Sequence, residues 1–594
     1  MRPITIIVLI VMLVMMSSLG FGQSSMGIPG PLEKFLHGVY FPFERLDWVA
    51  QRAGMGRWVF VDRLLSEMRH RYHIDALWVV NISTQDARQL CRLAEKHRIG
   101  VLITPEPVVW WRHLRGKEAA EKIARSSVDA LKDLPALWGY VLIDEGRSWE
   151  MVQLELVRQA LSSLDNKRVV LMVTMTGDTE SAARYTNLPI LVTDIYPFFG
   201  PKSPNGPNTP EASRAYYITC TERLKELAQE SGKLFWVMPQ GFAEIWGKWH
   251  YDQKMNAVIE EGAYWHWRMP SVGEVRWQIW QAILSGAKGV VFFVLFPTPN
   301  DRKPGDPSDG PIPTSAIHPT WSRVTQRVAT NAGTGLLYND GSPTEQFSVI
   351  AESFQLLKPY RDLLWRMQPH LPIALSTSPF RTATFIDPVQ GNLLVAIVND
   401  DTDRARDGTL TLLLPTANVD DLLHKHRLRA EVDHQSGFAR FTLTLEPGAG
   451  TLLLVHQSAA VGLSPIFFED VAVGTTAGQW HQLERALLPV GWGMGYRIVA
   501  KPAATNGQAE PFAYLQYDLS TIAADWRQSG GHLIFGYEGN DIEVWVSSDG
   551  FSFTLLQEGI SDAFTLLPPN ATHLRIVFPS SSSYLRKCWL WHRR

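Results

Sequence analysis

Between residues 36 and 367 the chain alternates short, almost wholly apolar runs with amphipathic stretches, and this alternation restricts its fold more than any other feature. The apolar runs cover 36–43, 75–81, 100–105, 137–144, 168–174, 190–196, 234–239 and 288–296. They are rich in Val, Ile, Leu and aromatics and read as parallel strands covered on both faces rather than as alternating ones. Between them, 84–97, 118–131, 149–164, 212–231 and 272–285 have helical spacing. Ser83, with Asp86 three residues on, gives the first of these a capping-box-like start. Eight strands, each followed by a helical stretch, over about 330 residues predict an α/β fold of the (β/α)8 barrel type. The competing open, doubly wound sheet needs a Gly-rich turn after its first strand, and none is present.

Two loops of the predicted barrel are stiffened by proline. One holds Pro201, Pro204, Pro207 and Pro210, and the other runs from Pro297 to Pro319. Irregular loops of this kind belong at the C-terminal face of a barrel, where function is built. After a last helical stretch at 345–368 the pattern changes to short β runs separated by turns. The expected organisation is a barrel over 30–368, a small antiparallel β-sandwich over 369–460 and a second all-β, jelly-roll-like segment over 464–594.

Residues 1–22 have the form of an export signal. Arg2 precedes an apolar run from Ile6 to Met16, and Gly20-Phe21-Gly22 supplies a small-x-small cleavage site. That run is shorter than the roughly 20 residues of a membrane span, so an exported protein without stable membrane insertion is expected. Cys91, Cys220 and Cys588 are too few for a disulfide framework or a cysteine zinc cluster, and the histidines lack metal-ligand spacing. Neither a metal nor a cofactor is implied. Lys plus Arg number 56 against 59 Asp plus Glu, a net charge of −3, which removes the electrostatic case for a nucleic-acid partner.

Candidate chemistry lies at strand ends. The fourth strand closes on Asp144 and Glu145, two carboxylates that are costly to desolvate without partners or a task. Their structural alternatives are a helix cap for Asp144 and a rim ion pair of Glu145 with Arg147 or Arg112. Glycosidases need one carboxylic acid to protonate the leaving oxygen and a second carboxylate across the bond. The stretch Trp138-Gly139-Tyr140-Val141-Leu142-Ile143-Asp144-Glu145 resembles the fourth-strand signature of clan A glycoside hydrolases, especially families 5 and 42. In that resemblance Glu145 matches the general acid/base, and Asp144 stands where Asn is usual. Thr193-Asp194-Ile195-Tyr196-Pro197 resembles the sixth-strand end that lines the cleft. The stretch from Arg268-Met269-Pro270 to Gly286-Ala287-Lys288-Gly289 is also similar to family 42 barrels.

The seventh strand departs from the family, with Gln240 where the nucleophilic Glu is expected. Asp194 or Glu244 then supplies the second carboxylate. Asp194 is preferred because it lies at a strand end, whereas Glu244 falls in a loop. Glu106, closing the third strand, is a further candidate.

The chain carries 22 Trp, 26 Phe and 16 Tyr, and part of that excess falls in loops beside these carboxylates. Trp110, Trp111, Trp246 and Trp249 are expected to stack on sugar faces, while Asp144, Tyr196 and Gln240 orient the sugar. Together these readings predict an exported O-glycosyl hydrolase acting on a poly- or oligosaccharide. The alternative is a non-catalytic glycan-binding or cell-envelope protein built on a degenerate glycosidase barrel.

Overall fold

A computed structural model describes residues 30–105, 116–298 and 332–455, with breaks at 205, 208, 252–256, 371, 378, 414–417 and 433–437. Beyond these it describes 463–470, 479–481, 483–490, 493–500, 513–519, 532–549, 551–557, 563–579 and 583–593. The export signal, Glu106, Trp110, Trp111, Arg112 and most of the second proline-rich loop lie outside the described residues. The chain divides into two compact units. One comprises Met1–Arg214, Leu227–Pro270 and Ala287–Trp365; the other comprises Ala215–Glu226, Ser271–Gly286 and Arg366–Arg594.

The first unit is built on a parallel barrel. Its strands are β1 (Leu36–Pro42), β2 (Ala76–Ile82), β3 (Gly100–Pro105), β4 (Leu137–Val141), β5 (Val169–Leu171), β6 (Val173–Met175), β7 (Ile190–Ile195) and β8 (Leu234–Pro239). A strand at Gly289–Phe292 sits between β1 and β8 and completes the order β5-β4-β3-β2-β1-(289–292)-β8-β7-β6. The expected fifth strand is thus one segment broken at Met172. Its first half pairs with β4 and its second half with β7, and this shared segment closes the ring. The (β/α)8 reading therefore holds, with the strand ends trimmed: β4 stops at Val141, and residues 142–146 leave the sheet.

Residues two apart on each strand fill the interior. Leu36 and Tyr40, Ala76, Trp78 and Val80, Ile190 and Val192, and Trp236 and Met238 belong to one buried cluster. The same parity turns Asp194, two residues beyond Val192, toward the upper end of that interior. Gly139 has no room for a side chain, since a Cβ there would meet Val169 at 2.6 Å.

The opposite end of the barrel is held by a buried ionic cluster. Asp75, just ahead of β2, accepts from Arg361 at 2.9 Å and from Arg69 at 3.3 Å. The Arg361 Nε–H also donates to the carbonyl of Phe35 at 2.8 Å, which ties the segment after the barrel to the start of β1. His37 stacks on Phe354 with ring centroids 4.0 Å apart, and burial, followed by the Arg361 charge, holds its imidazole well below the usual histidine range.

In the second unit, sheets containing 393–399 and 439–445 face each other as a sandwich. Ala439, Phe441, Leu443 and Leu445 point inward while Arg440, Thr442 and Thr444 point out, the period-two pattern of a half-covered strand. Leu393–Asn399 is buried throughout. One of its faces joins the sandwich core and the other meets the helix Val272–Leu284. Trp277 of that helix donates to Asp400 Oδ1 at 2.8 Å, and a Cβ on Gly273 would lie 1.9 Å from the Thr402 carbonyl. Residues 463–593 contribute two further antiparallel sheets. Among the described residues no helix is long and apolar enough to cross a membrane.

Removing one member of a buried ion cluster leaves the other charge uncompensated. Asp75→Ala is expected to cost about 3–5 kcal/mol, read as a lower urea midpoint with an unchanged far-ultraviolet spectrum in buffer.

Candidate active site

The loop after β4 is registered by the broken fifth strand. Leu142 N donates to Leu171 O at 2.8 Å and Gly146 N to Val173 O at 3.1 Å. A Cβ on Gly146 would meet the Met172 sulfur at 2.4 Å, so a larger residue here would have to displace that side chain. Between these anchors Glu145 takes φ 51°, a left-handed conformation that a non-glycine residue rarely adopts. On the other side of the fifth strand, Met175 is in register with Asp194. One short segment therefore sets both carboxylates, and their side chains are hydrogen-bonded to each other.

Asp144 does not cap a helix. Its Oδ2 accepts from the Tyr40 hydroxyl at 2.6 Å, an inward-facing partner from β1. The other structural alternative is present: Arg147 donates to Glu145 Oε2 at 3.1 Å and reaches Asp178 at 3.5 Å. That pairing leaves 28% of the Glu145 side chain exposed. Burial, followed by the Asp144 charge, pushes Glu145 up to about 7 against the opposing pull of Arg147. Asp194 is 8% exposed and is held well above the usual carboxylate range by burial and then by Glu145 and Asp144. Among the described residues Asp194 Oδ1 is buried without a hydrogen-bond partner.

This contact changes the role open to Asp194. Carboxylates acting on opposite sides of a glycosidic bond stand about 5–5.5 Å apart in retaining enzymes and farther in inverting ones. Hydrogen-bonded to Glu145, Asp194 leaves no space for a sugar between them. Glu244 is the other carboxylate, and it does not lie in an irregular loop. It sits on β9 (Ala243–Trp246), which pairs with Tyr264–Trp267 on one side and Ala332–Thr334 on the other. Trp246 Nε1 donates to Glu244 Oε1 at 3.0 Å. Burial pushes Glu244 up to about 7 despite this bond and the Arg45 charge, and the charge of Glu145 adds to the rise.

The aromatic expectations divide. Tyr196 packs edge-on to Phe242 with centroids 4.9 Å apart, and its phenol is raised by burial and then by Asp194, Glu145 and Asp144, so it stays a proton donor. Trp246 is partly buried and stacks on His266 at 3.6 Å. Trp249 has a different place from the expected platform: it is 1% exposed and packs with Ile245 beneath the hairpin. Gln240 also differs. It is fully buried, its Oε1 accepts from Phe198 N at 2.9 Å, and its Nε2 donates to Arg268 O at 2.8 Å and Phe242 O at 3.1 Å. The amide staples main chain together instead of facing a ligand.

Three participants were not singled out in the sequence. Tyr40 carries a readable signal, because Leu36 and Tyr40 share the inward parity of β1. Arg45, whose Nη1 donates to Phe296 O at 3.0 Å, and Glu44, which is bonded to Asn81, lie in a single 3-10 turn (Phe43–Arg45) after β1, too short for a periodicity to point to them. Among the described residues no group of three or more His, Cys, Asp or Glu side chains is placed to hold a metal ion.

The raised carboxyls make a stability prediction. Glu244 titrates near 7 when folded against an ordinary value of 4.5, so between these pH values the folded chain binds more protons and loses stability as pH rises. Glu244→Gln keeps the acceptor for Trp246 and removes this penalty. It is expected to match wild type near pH 4 and to exceed it above pH 7 by on the order of 2–3 kcal/mol, measured by thermal melts at the two pH values.

No family model matches the chain, and no curated protein matches it. Solved structures similar to it include one described as a glycoside hydrolase, at 10% identity over 71% of this chain and 93% of that chain with a TM-score of 0.44. Another is a glycoside hydrolase family 5 protein from Bacteroides vulgatus, at 10% identity over 72% and 94% with a TM-score of 0.43. A third is a family 51 alpha-L-arabinofuranosidase from Bifidobacterium longum, at 11% identity over 72% and 97% with a TM-score of 0.36.

Proposed function

We propose that this chain is an exported glycoside hydrolase that cleaves O-glycosidic bonds in a poly- or oligosaccharide. The observation that carries the reading is Glu145: a partly exposed side chain at the mouth of the barrel, its carboxyl raised to about 7 and acting on a second raised carboxyl, Glu244. A general acid is most effective when its pKa lies near the working pH. Glu145 gives its proton to the leaving oxygen as the bond from that oxygen to the anomeric carbon breaks. Glu244, ionised, either attacks that carbon or takes a proton from the water that does. Asp194 holds Glu145 in place. Asp144 and Tyr196 orient the ring, and Trp246 offers an aromatic face. On this reading residues 30–368 carry the chemistry, while 369–460 and 464–594 form β modules.

The test is a glycan and aryl-glycoside panel run on wild type, Glu145→Gln and Glu244→Gln. Each substitution is expected to lower kcat by about 10²–10⁴-fold with folding unchanged. Equal turnover by wild type and Glu145→Gln removes Glu145 from the mechanism, and glycan binding without turnover in the wild type favours a binding-only protein. Azide added to Glu244→Ala separates the two roles of that residue, because a glycosyl azide product marks a lost nucleophile.

The pH profile gives a second check. Activity needs Glu145 protonated and Glu244 ionised, so kcat/KM is expected to peak near neutrality and to fall toward both roughly pH 5 and roughly pH 9. A flat profile across that range contradicts the assignment.

A further inference from the structure

The loop that carries Glu145 continues into a feature the hydrolytic pair does not use. Trp149, four residues on, is 80% exposed, and Val152 beyond it is 72% exposed. On a helical turn, positions three apart share a face, so the two side chains form one apolar patch at the C-terminal rim of the barrel. Burial is the usual outcome for Trp, and this one is held out in solvent by a rigid support. Ser148 N and Oγ donate to Asp178 Oδ1, the former at 2.8 Å, and Arg147 N donates to Glu150 Oε2 at 2.9 Å. Arg147 joins Asp178 to Glu145, so the residue presenting the indole and the acid share one polar frame. A chain of four residues spans at most about 14 Å, which keeps the indole within a few sugar rings of Glu145.

We propose that Trp149, backed by Val152, is a stacking platform for the glycan chain beyond the bond that is cut, and that the substrate is therefore a polymer or long oligosaccharide rather than a disaccharide. An indole offers a flat apolar face that matches the C–H face of a pyranose ring. Its pre-ordered loop removes most of the entropy cost of placing it. The inference rests on the hydrolase reading for its substrate class, but it concerns binding and is tested by binding.

The experiment is calorimetric titration of β-linked gluco-, manno-, xylo- and galacto-oligosaccharides of two and six units into the full chain carrying Glu145→Gln, with and without Trp149→Ala. Loss of the indole is expected to weaken the bound hexaose about tenfold and to affect the disaccharide far less. Trp149→Phe is expected to restore most of the loss, and Val59→Ala, an exposed apolar residue on the helix Arg57–His70, to change nothing. Equal hexaose affinity with and without Trp149 overturns the platform, as does failure of every hexaose to bind. Length-dependent binding through Trp149 with no turnover in the wild type instead keeps the platform and removes the hydrolase reading.

Discussion

The arrangement at the mouth of the barrel depends on one constraint: a single short strand must serve two neighbours. Val169–Leu171 completes the ladder to β4, and Val173–Met175, after one residue out of register, begins the ladder to β7. Every other neighbour in the ring is a separate segment with its own helix, so this is the point at which the barrel closes. Closure also fixes chemistry. The same segment pins Gly146 through Val173 and registers Met175 with Asp194, which brings carboxylates from two strand ends into contact. The left-handed turn at Glu145 follows from that pinning, because the chain must leave β4 and return to the fifth strand within a few residues.

Buried charge is gathered at both ends of the ring. At the floor, Asp75 is matched by Arg361 and Arg69, and the cluster joins distant segments. At the mouth, burial outweighs the pull of Arg147 on Glu145 and of Arg45 on Glu244, and Glu145, Asp194 and Glu244 are all raised. Asp75 too is raised by burial despite its two arginines, so what distinguishes the floor is that its ion pairs tie distant segments together.

The parts of the molecule that could be read from the sequence are those governed by local pattern. The barrel strands announce themselves as apolar runs because both faces are covered, and Glu145 is visible because it follows one of these runs directly. Parity along β7 likewise turns Asp194 inward. What stayed hidden depends on pairings between distant segments. Tyr40 meets Asp144 from 104 residues away. Glu244 and Trp249 looked like loop residues because the short strands around them are defined only by their partners at 264–267, 257–259 and 332–334. Gln240 sat where a nucleophile was expected, and only the carbonyls of Phe242 and Arg268 reveal it as a staple.

The strand Leu393–Asn399 has a consequence for modularity. It is covered on one face by its own sandwich and on the other by the helix Val272–Leu284, which in the chain lies between two barrel strands. Trp277 and Trp280 of that helix are buried, one bonded to Asp400 and the other lying where a side chain on Gly450 would fall. A polypeptide cut at residue 368 would therefore keep Val272–Leu284 without the sheet that covers it. The sandwich is not a cassette that could be exchanged at a linker, and genetic shuffling at that boundary would have to replace both indole contacts at once.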